Sequence, residues 1–218
     1  MTFGLSFTNV KDVVVIDSEF ARLSVIAKGT YSGVGGAGVN FPFTITSIEP
    51  PLVFVRPAQP NTLCFCKIAG SPGAWTGFTF VGIARVGTSG SWFCAAYEAK
   101  ATADMGLRLW DGAGKLLFDN GTAAAQFTRT ITSWVYLGAQ AEAQGQYRLS
   151  WTSPLASLSN GDFMLLNNIA MDVAGSTSRQ GNQYAVWDYA NDRLVMQVVG
   201  VDINTTLYTP VVWASPVT

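Results

Sequence analysis

Phe78-Thr79-Phe80-Val81-Gly82-Ile83 and Trp92-Phe93-Cys94-Ala95-Ala96-Tyr97 are two short runs dominated by aromatic, β-branched and small residues. Such side chains pack well on a pleated, half-buried surface, so both runs read as central strands. Working outward, Thr44-Ile45-Thr46-Ser47-Ile48 and Leu52-Val53-Phe54-Val55 repeat the pattern upstream. Downstream, Gln126 to Tyr136, Gln146 to Trp151, Arg193 to Val199 and Leu207 to Trp213 repeat it again. Glycine, proline, asparagine and aspartate cut these runs at intervals of roughly 8–12 residues, the punctuation of a sandwich or barrel. Helical periodicity is weak throughout, and only Ser18 to Ile26 and Asp162 to Val173 have room for a short helical turn. The expected class is all-β with minimal helix.

An internal echo organises the chain further. At an offset of 102 residues, Phe3-Gly4-Leu5-Ser6-Phe7-Thr8-Asn9 overlays Met105-Gly106-Leu107-Arg108-Leu109-Trp110-Asp111, and Val14-Val15-Ile16-Asp17-Ser18 overlays Leu116-Leu117-Phe118-Asp119-Asn120. Both copies read strand, tight turn, strand, then aspartate and a small polar residue. Gly112 and Gly114 in the second turn supply the positive φ that hairpins require. A looser relative runs from Tyr184 to Met196. Chance similarity between hairpins competes with duplication here, because alternation plus a turn glycine is a small vocabulary. Duplication predicts two β-sandwich-like units, 1–101 and 102–218, meeting near Glu98 to Asp104, where alternation fails and charge gathers. Ser32 to Gly38 reads as a flexible loop. It lacks the Lys-Ser/Thr and helix of a phosphate cradle.

Charge narrows the function classes. Of 218 residues only 12% are charged, about half the roughly 25% usual for soluble domains, while 49% are apolar. Mean hydropathy is +0.25. A surface of threonine, serine, asparagine, glutamine and glycine can be buried in subunit contacts without stranding ions. Thirteen basic against 14 acidic residues give a net charge of −1 with no basic run, which argues against nucleic acid. The longest aliphatic stretch, Val13 to Ile16, is far short of the roughly 18 residues of a membrane span. Met1 to Leu5 has no basic n-region, so synthesis in the cytosol without a secretory signal is expected.

Catalytic chemistry is sparse. With no histidine, histidine-based triads and histidine-ligated metal sites are excluded. Cys64, Cys66 and Cys94 read as buried small apolar residues; no disulfide framework, metal or cofactor is expected. A carboxylate pair could still serve a glycan hydrolase, drawn from Glu49, Asp104, Asp111, Asp119, Glu142, Asp162, Asp172, Asp188 and Asp192. Asp17 and Asp119, at matching ends of the echoed hairpin, read as turn caps. Among seven tryptophans, Trp75 is the one candidate ligand contact. It lies in Gly70-Ser71-Pro72-Gly73-Ala74-Trp75-Thr76-Gly77, which reads as a loop, where an exposed indole would stack on a sugar ring.

The string from Met105 to Asn120, together with its counterpart near the start and Pro51-Leu52-Val53-Phe54-Val55-Arg56-Pro57, resembles a hairpin common in small virion proteins of tailed bacteriophages, which accompany tail-tip and fibre components. The resemblance covers about a third of the chain and assigns no catalytic or ligand residues. It implies a non-enzymatic virion structural protein with a part in host attachment, whose partners are other virion proteins, a host surface receptor or glycan, and further copies of itself, a homotrimer by analogy with fibres. The competing classes are a carbohydrate- or receptor-binding β-sandwich and the carboxylate-pair hydrolase.

Overall fold

The computed structural model describes residues 6–8, 14–17, 22–82, 87–102, 105–142, 145–169, 172–174, 180–201 and 206–217. Among them the chain is all-β, with only single 3-10 turns such as Asn167–Ile169 and Tyr189–Asn191. Two short hairpins stand apart: β1 (Ser6–Thr8) with β2 (Val14–Asp17), and β9 (Arg108–Trp110) with β10 (Leu116–Asp119). A closed barrel contains β3 (Ser24–Val34), β5 (Leu52–Pro57), β8 (Gly87–Ala96), β11 (Ala124–Ile131), β14 (Phe163–Leu165) and β18 (Val211–Val217), in the order β11-β18-β14-β5-β8-β3. The remaining strands form an eight-stranded sheet: β4 (Gly36–Ile45), β6 (Asn61–Ser71), β7 (Ala74–Gly82), β12 (Val135–Ala141), β13 (Tyr147–Thr152), β15 (Asp172–Ala174), β16 (Gln180–Asp188) and β17 (Arg193–Val201). Its order is β12-β13-β17-β16-β6-β7-β4, with β15 also on β16.

The echo is real in the backbone. In the first hairpin Ser6, Phe7 and Thr8 pair with Asp17, Ile16 and Val14; in the second Arg108, Leu109 and Trp110 pair with Asp119, Phe118 and Leu116. Every pair is displaced by 102, and both registers skip the same place, at Val15 and at Leu117. The offset persists into the barrel, where the register of β3 on β8 slips between Val25 and Ala27 and that of β11 on β18 slips between Phe127 and Arg129. Strands β3-β8-β5 and β11-β18-β14 are therefore equivalent trios. They meet antiparallel across a pseudo-two-fold axis: Leu165 pairs with Phe54, Met164 with Val55, and the Leu166 N–H donates to Val53 O at 2.8 Å. The opposite seam is narrower, held by the Ser24 to Ala124 pair and by the Ala125 N–H donating to Leu23 O at 3.0 Å.

Both large layers mix strands from either side of residue 102. The division into sandwiches 1–101 and 102–218 thus corresponds to two halves that complete each other's barrel and sheet, because each trio alone would leave open edges. Alternation along each barrel strand serves two cores. Phe54, Phe93, Ala95, Leu165 and Ala214 fill the barrel, while Val53, Val55, Trp92, Cys94, Met164 and Trp213 face outward onto Phe78, Phe80, Leu149, Trp151, Trp187 and Met196 of the large sheet.

Several local expectations change. Ser32 to Gly38 is continuous β structure rather than a flexible loop, broken only at Gly35, whose φ of 69° lets the chain cross from barrel to sheet. Gln126 to Tyr136 divides at residues 132–134 into β11 and β12. Ser24 to Ile26 is strand, and Asp162 to Val173 holds β14, one 3-10 turn and the start of β15. Phe3 to Leu5, Asn9, Val13, Ser18 to Ala21 and Asp104 lie outside the described residues.

Candidate functional site

Trp75 is not an exposed loop residue. The segment that carries it is the β6–β7 hairpin, which turns at Pro72-Gly73 with Gly73 at φ 81°. Trp75 lies on β7 between Ile45 of β4 and Gly70 of β6, packed in the main core, and its indole N–H donates to Ser47 O at 2.9 Å. A glycan cannot stack on it there. The apparent loop was a tight turn, and the pleat sends the indole inward.

The other named residues are mostly structural. Burial pushes the Cys66 and Cys94 thiols up to about 12, which leaves them protonated and unreactive at neutral pH. No group of three or more metal-ligating side chains occurs among the described residues. Asp162 is buried and bidentate with Arg129, at 2.8 Å and 3.0 Å, and also accepts from Thr128 Oγ1 at 2.7 Å. Arg129 in turn lies 4.1 Å over the Trp213 ring. Asp119 caps its hairpin as expected, accepting from Thr102 Oγ1 at 2.7 Å, Arg108 Nε at 2.6 Å and Gly121 N–H at 2.9 Å. Thr102 first, and Arg108 next, hold its carboxyl well below the usual carboxylate range. Asp111 caps the turn through the Ala113 and Lys115 N–H groups, and Asp192 accepts from Ser157, Ser159 and the Leu158 N–H.

Two concave regions among the described residues are larger than about 400 Å³. One opens at an end of the barrel, about 750 Å³, with Leu23, Leu52 and Ala95 as its floor and Ile48, Pro50 and Tyr97 on its walls. Glu98 stands there, its Oε1 accepting from Thr46 Oγ1 at 2.8 Å.

The second is a groove of about 410 Å³ on the outer face of the large sheet. Alternation builds it: β13 sends Leu149 and Trp151 into the core and Arg148 and Ser150 outward, while β17 buries Met196 and Val198 and presents Val195 and Gln197 to the groove. Val186 and Val195 pair across β16 and β17 and line it with apolar surface. Around them, Arg193 Nε meets Asp188 Oδ2 at 3.0 Å, Arg148 Nη2 meets Glu142 Oε1 at 2.8 Å, and Gln197 Nε2 donates to Ser150 Oγ at 3.3 Å. Asp188 also accepts from Asn191 Nδ2 at 2.8 Å; burial works against its charge, but the bonds from Asn191 and Arg193 prevail and lower its pKa. Sequence reading passed over Arg148, Ser150, Arg193 and Gln197. Their polar alternation was visible, yet it is the ordinary mark of any half-buried strand.

Among the described residues the sheet ends on β12, which lines the groove with Leu137 to Gln140 and is exposed along nearly its whole length, with Val135, Tyr136 and Leu137 at 56%, 49% and 45% exposure. No helix among the described residues is long and apolar enough to cross a membrane. No protein-family model matches this chain, and no curated protein or solved structure is significantly similar to it.

Proposed function

We propose that this chain is a non-enzymatic structural subunit of a bacteriophage tail, at the tip or in a fibre, with a part in host attachment. The observation that carries the assembly half is β12. Its residues, Val135-Tyr136-Leu137-Gly138-Ala139-Gln140-Ala141, are uncharged and lack proline. A long, exposed, apolar edge strand is a template for pairing with another chain, and proteins that stay monomeric blunt such edges with lysine, proline or a cover. A low overall charge supports the same reading, because it leaves few ions to desolvate on contact. The tail assignment itself rests on the resemblance of the Met105 to Asn120 hairpin.

The partner for β12 is a second copy of the chain. Antiparallel self-pairing sets no like charges against each other and extends the sheet with its own hydrogen-bond geometry. The homotrimer implied by analogy with phage fibres needs a head-to-tail contact instead, joining β12 to a different surface of the next copy. The non-enzymatic reading draws support from the carboxylates: Asp119, Glu142, Asp162 and Asp188 are engaged in ion pairs. Mass spectrometry of purified particles tests the tail assignment: this polypeptide is expected among the tail proteins, and its absence would overturn the assignment.

A further inference from the structure

We infer that the groove over β12, β13, β17 and β16 is a binding site for an uncharged saccharide. This inference rests on the attachment half of the proposed function and names its ligand class and residues. The groove is specific to one half of the molecule. In the first half β4 pairs directly with β7, whereas in the second β13 stands between their equivalents, β12 and β17. That added strand supplies Arg148 and Ser150 and spaces Gln140 from Gln197. Without it the groove would have no counterpart wall.

Its chemistry selects hydroxyls over charge. Two guanidiniums and two carboxylates lie in or beside the groove, and each cation is already joined to an anion, Arg148 to Glu142 and Arg193 to Asp188. Each arginine is neutralised by its carboxylate through one nitrogen, so no net positive field draws an anionic ligand in. Vicinal hydroxyls, which donate and accept at once, can add to both members of a fixed pair without breaking it. Gln140, Gln197 and Ser150 contribute further mixed donors and acceptors. Half-buried Val186, backed by the buried Val195 opposite it, offers an apolar seat for the C–H face of a ring. A peptide would find less here, because the backbone groups of β13, β17 and β16 are committed to sheet pairing on both sides and only the edge is open to strand addition.

The test applies the purified full chain to a printed array of neutral, sialylated and sulfated oligosaccharides and of random peptides. Retention on neutral saccharides is expected. The Gln197→Ala/Ser150→Ala double variant should weaken it about tenfold, on the order of one or two lost hydrogen bonds, with an unchanged melting temperature because both residues lie on the outer face. A blank array, retention on acidic glycans or peptides alone, or undiminished binding by the folded double variant would overturn the inference. The two readings fail separately: a particle protein with a blank array loses only the groove, and a saccharide binder missing from particles loses only the tail.

Discussion

The two halves of this chain share a backbone and differ in how it is finished. At the barrel bulge the first half places Ile26 and Ala27, both buried, while the second places Thr128 and Arg129, tied to the buried Asp162. On the outward face of the barrel Cys94 pairs with Val53 in one half and Trp213 with Met164 in the other. At the sheet edges both strands are irregular, β4 skipping Phe41 to Thr44 in its register with β7 and β12 bulging at Leu137 against β13, but β4 carries Pro42 in its skipped stretch while β12 has neither proline nor charge. Proline, which cannot donate to an added strand, blunts an edge. The apolar pattern that makes the strands tolerates polar, ionic and aromatic variants at the same place, and those variants give the second half its groove and its open edge.

The largest expected effect breaks the bulge comparison. Asp162→Ala leaves the Arg129 guanidinium, with a side chain only 15% exposed, without its carboxylate, and should cost about 3–5 kcal/mol in denaturant unfolding. The Arg129→Met/Asp162→Leu double variant makes the second bulge apolar like the first and should return to within about 1 kcal/mol of the parent chain. If the double variant is as unstable as the single one, an apolar bulge cannot replace the ionic one.

The hairpins give a smaller, pH-dependent effect. The Asp119 carboxyl has a folded pKa below its unfolded value of roughly 3.9, so its contribution is complete above about pH 5 and is lost as pH falls toward the lowered folded value. Asp119→Asn should therefore lower the melting temperature near neutrality, and its difference from the parent should shrink below about pH 4. Asp17→Asn should do less, because Ser6 stands where the second hairpin has Arg108. Equal effects, or a difference that grows in acid, would contradict the ion-pair account. The smallest effect concerns Cys94, the counterpart of Trp213. With its thiol pushed up to about 12, peptide-resolved alkylation at pH 8 should find Cys94 and Cys66 unlabelled in the folded chain and labelled once it unfolds.

Much of this fold was legible in the sequence for a physical reason. Strand runs are local, so period, turn residues and even the 102-residue offset could be read from neighbouring side chains. Pairing between the halves was hidden, because Phe54 meeting Leu165 depends on contacts more than a hundred residues apart. Trp75 was misplaced because Gly70 to Gly77 is rich in turn formers, and such a stretch looks the same whether it is a loose loop or the tip of a long hairpin. The groove was illegible for a third reason: Arg148 and Gln197 acquire meaning only from the insertion of β13, and nothing in its alternation marks it as the added strand.

The central claim is that the open β12 edge joins this chain to others, and Leu137→Lys tests it most directly. Leu137 is 45% exposed, so a lysine there should change folding stability by no more than about 0.5 kcal/mol, while placing a charge in any strand-to-strand contact. Sedimentation velocity at tens of micromolar should give the parent chain a mass of two or more chains and the Leu137→Lys variant the mass of one, with the same melting temperature. A parent chain that is monomeric at that concentration, or a folded variant that associates as strongly as the parent, would contradict the account.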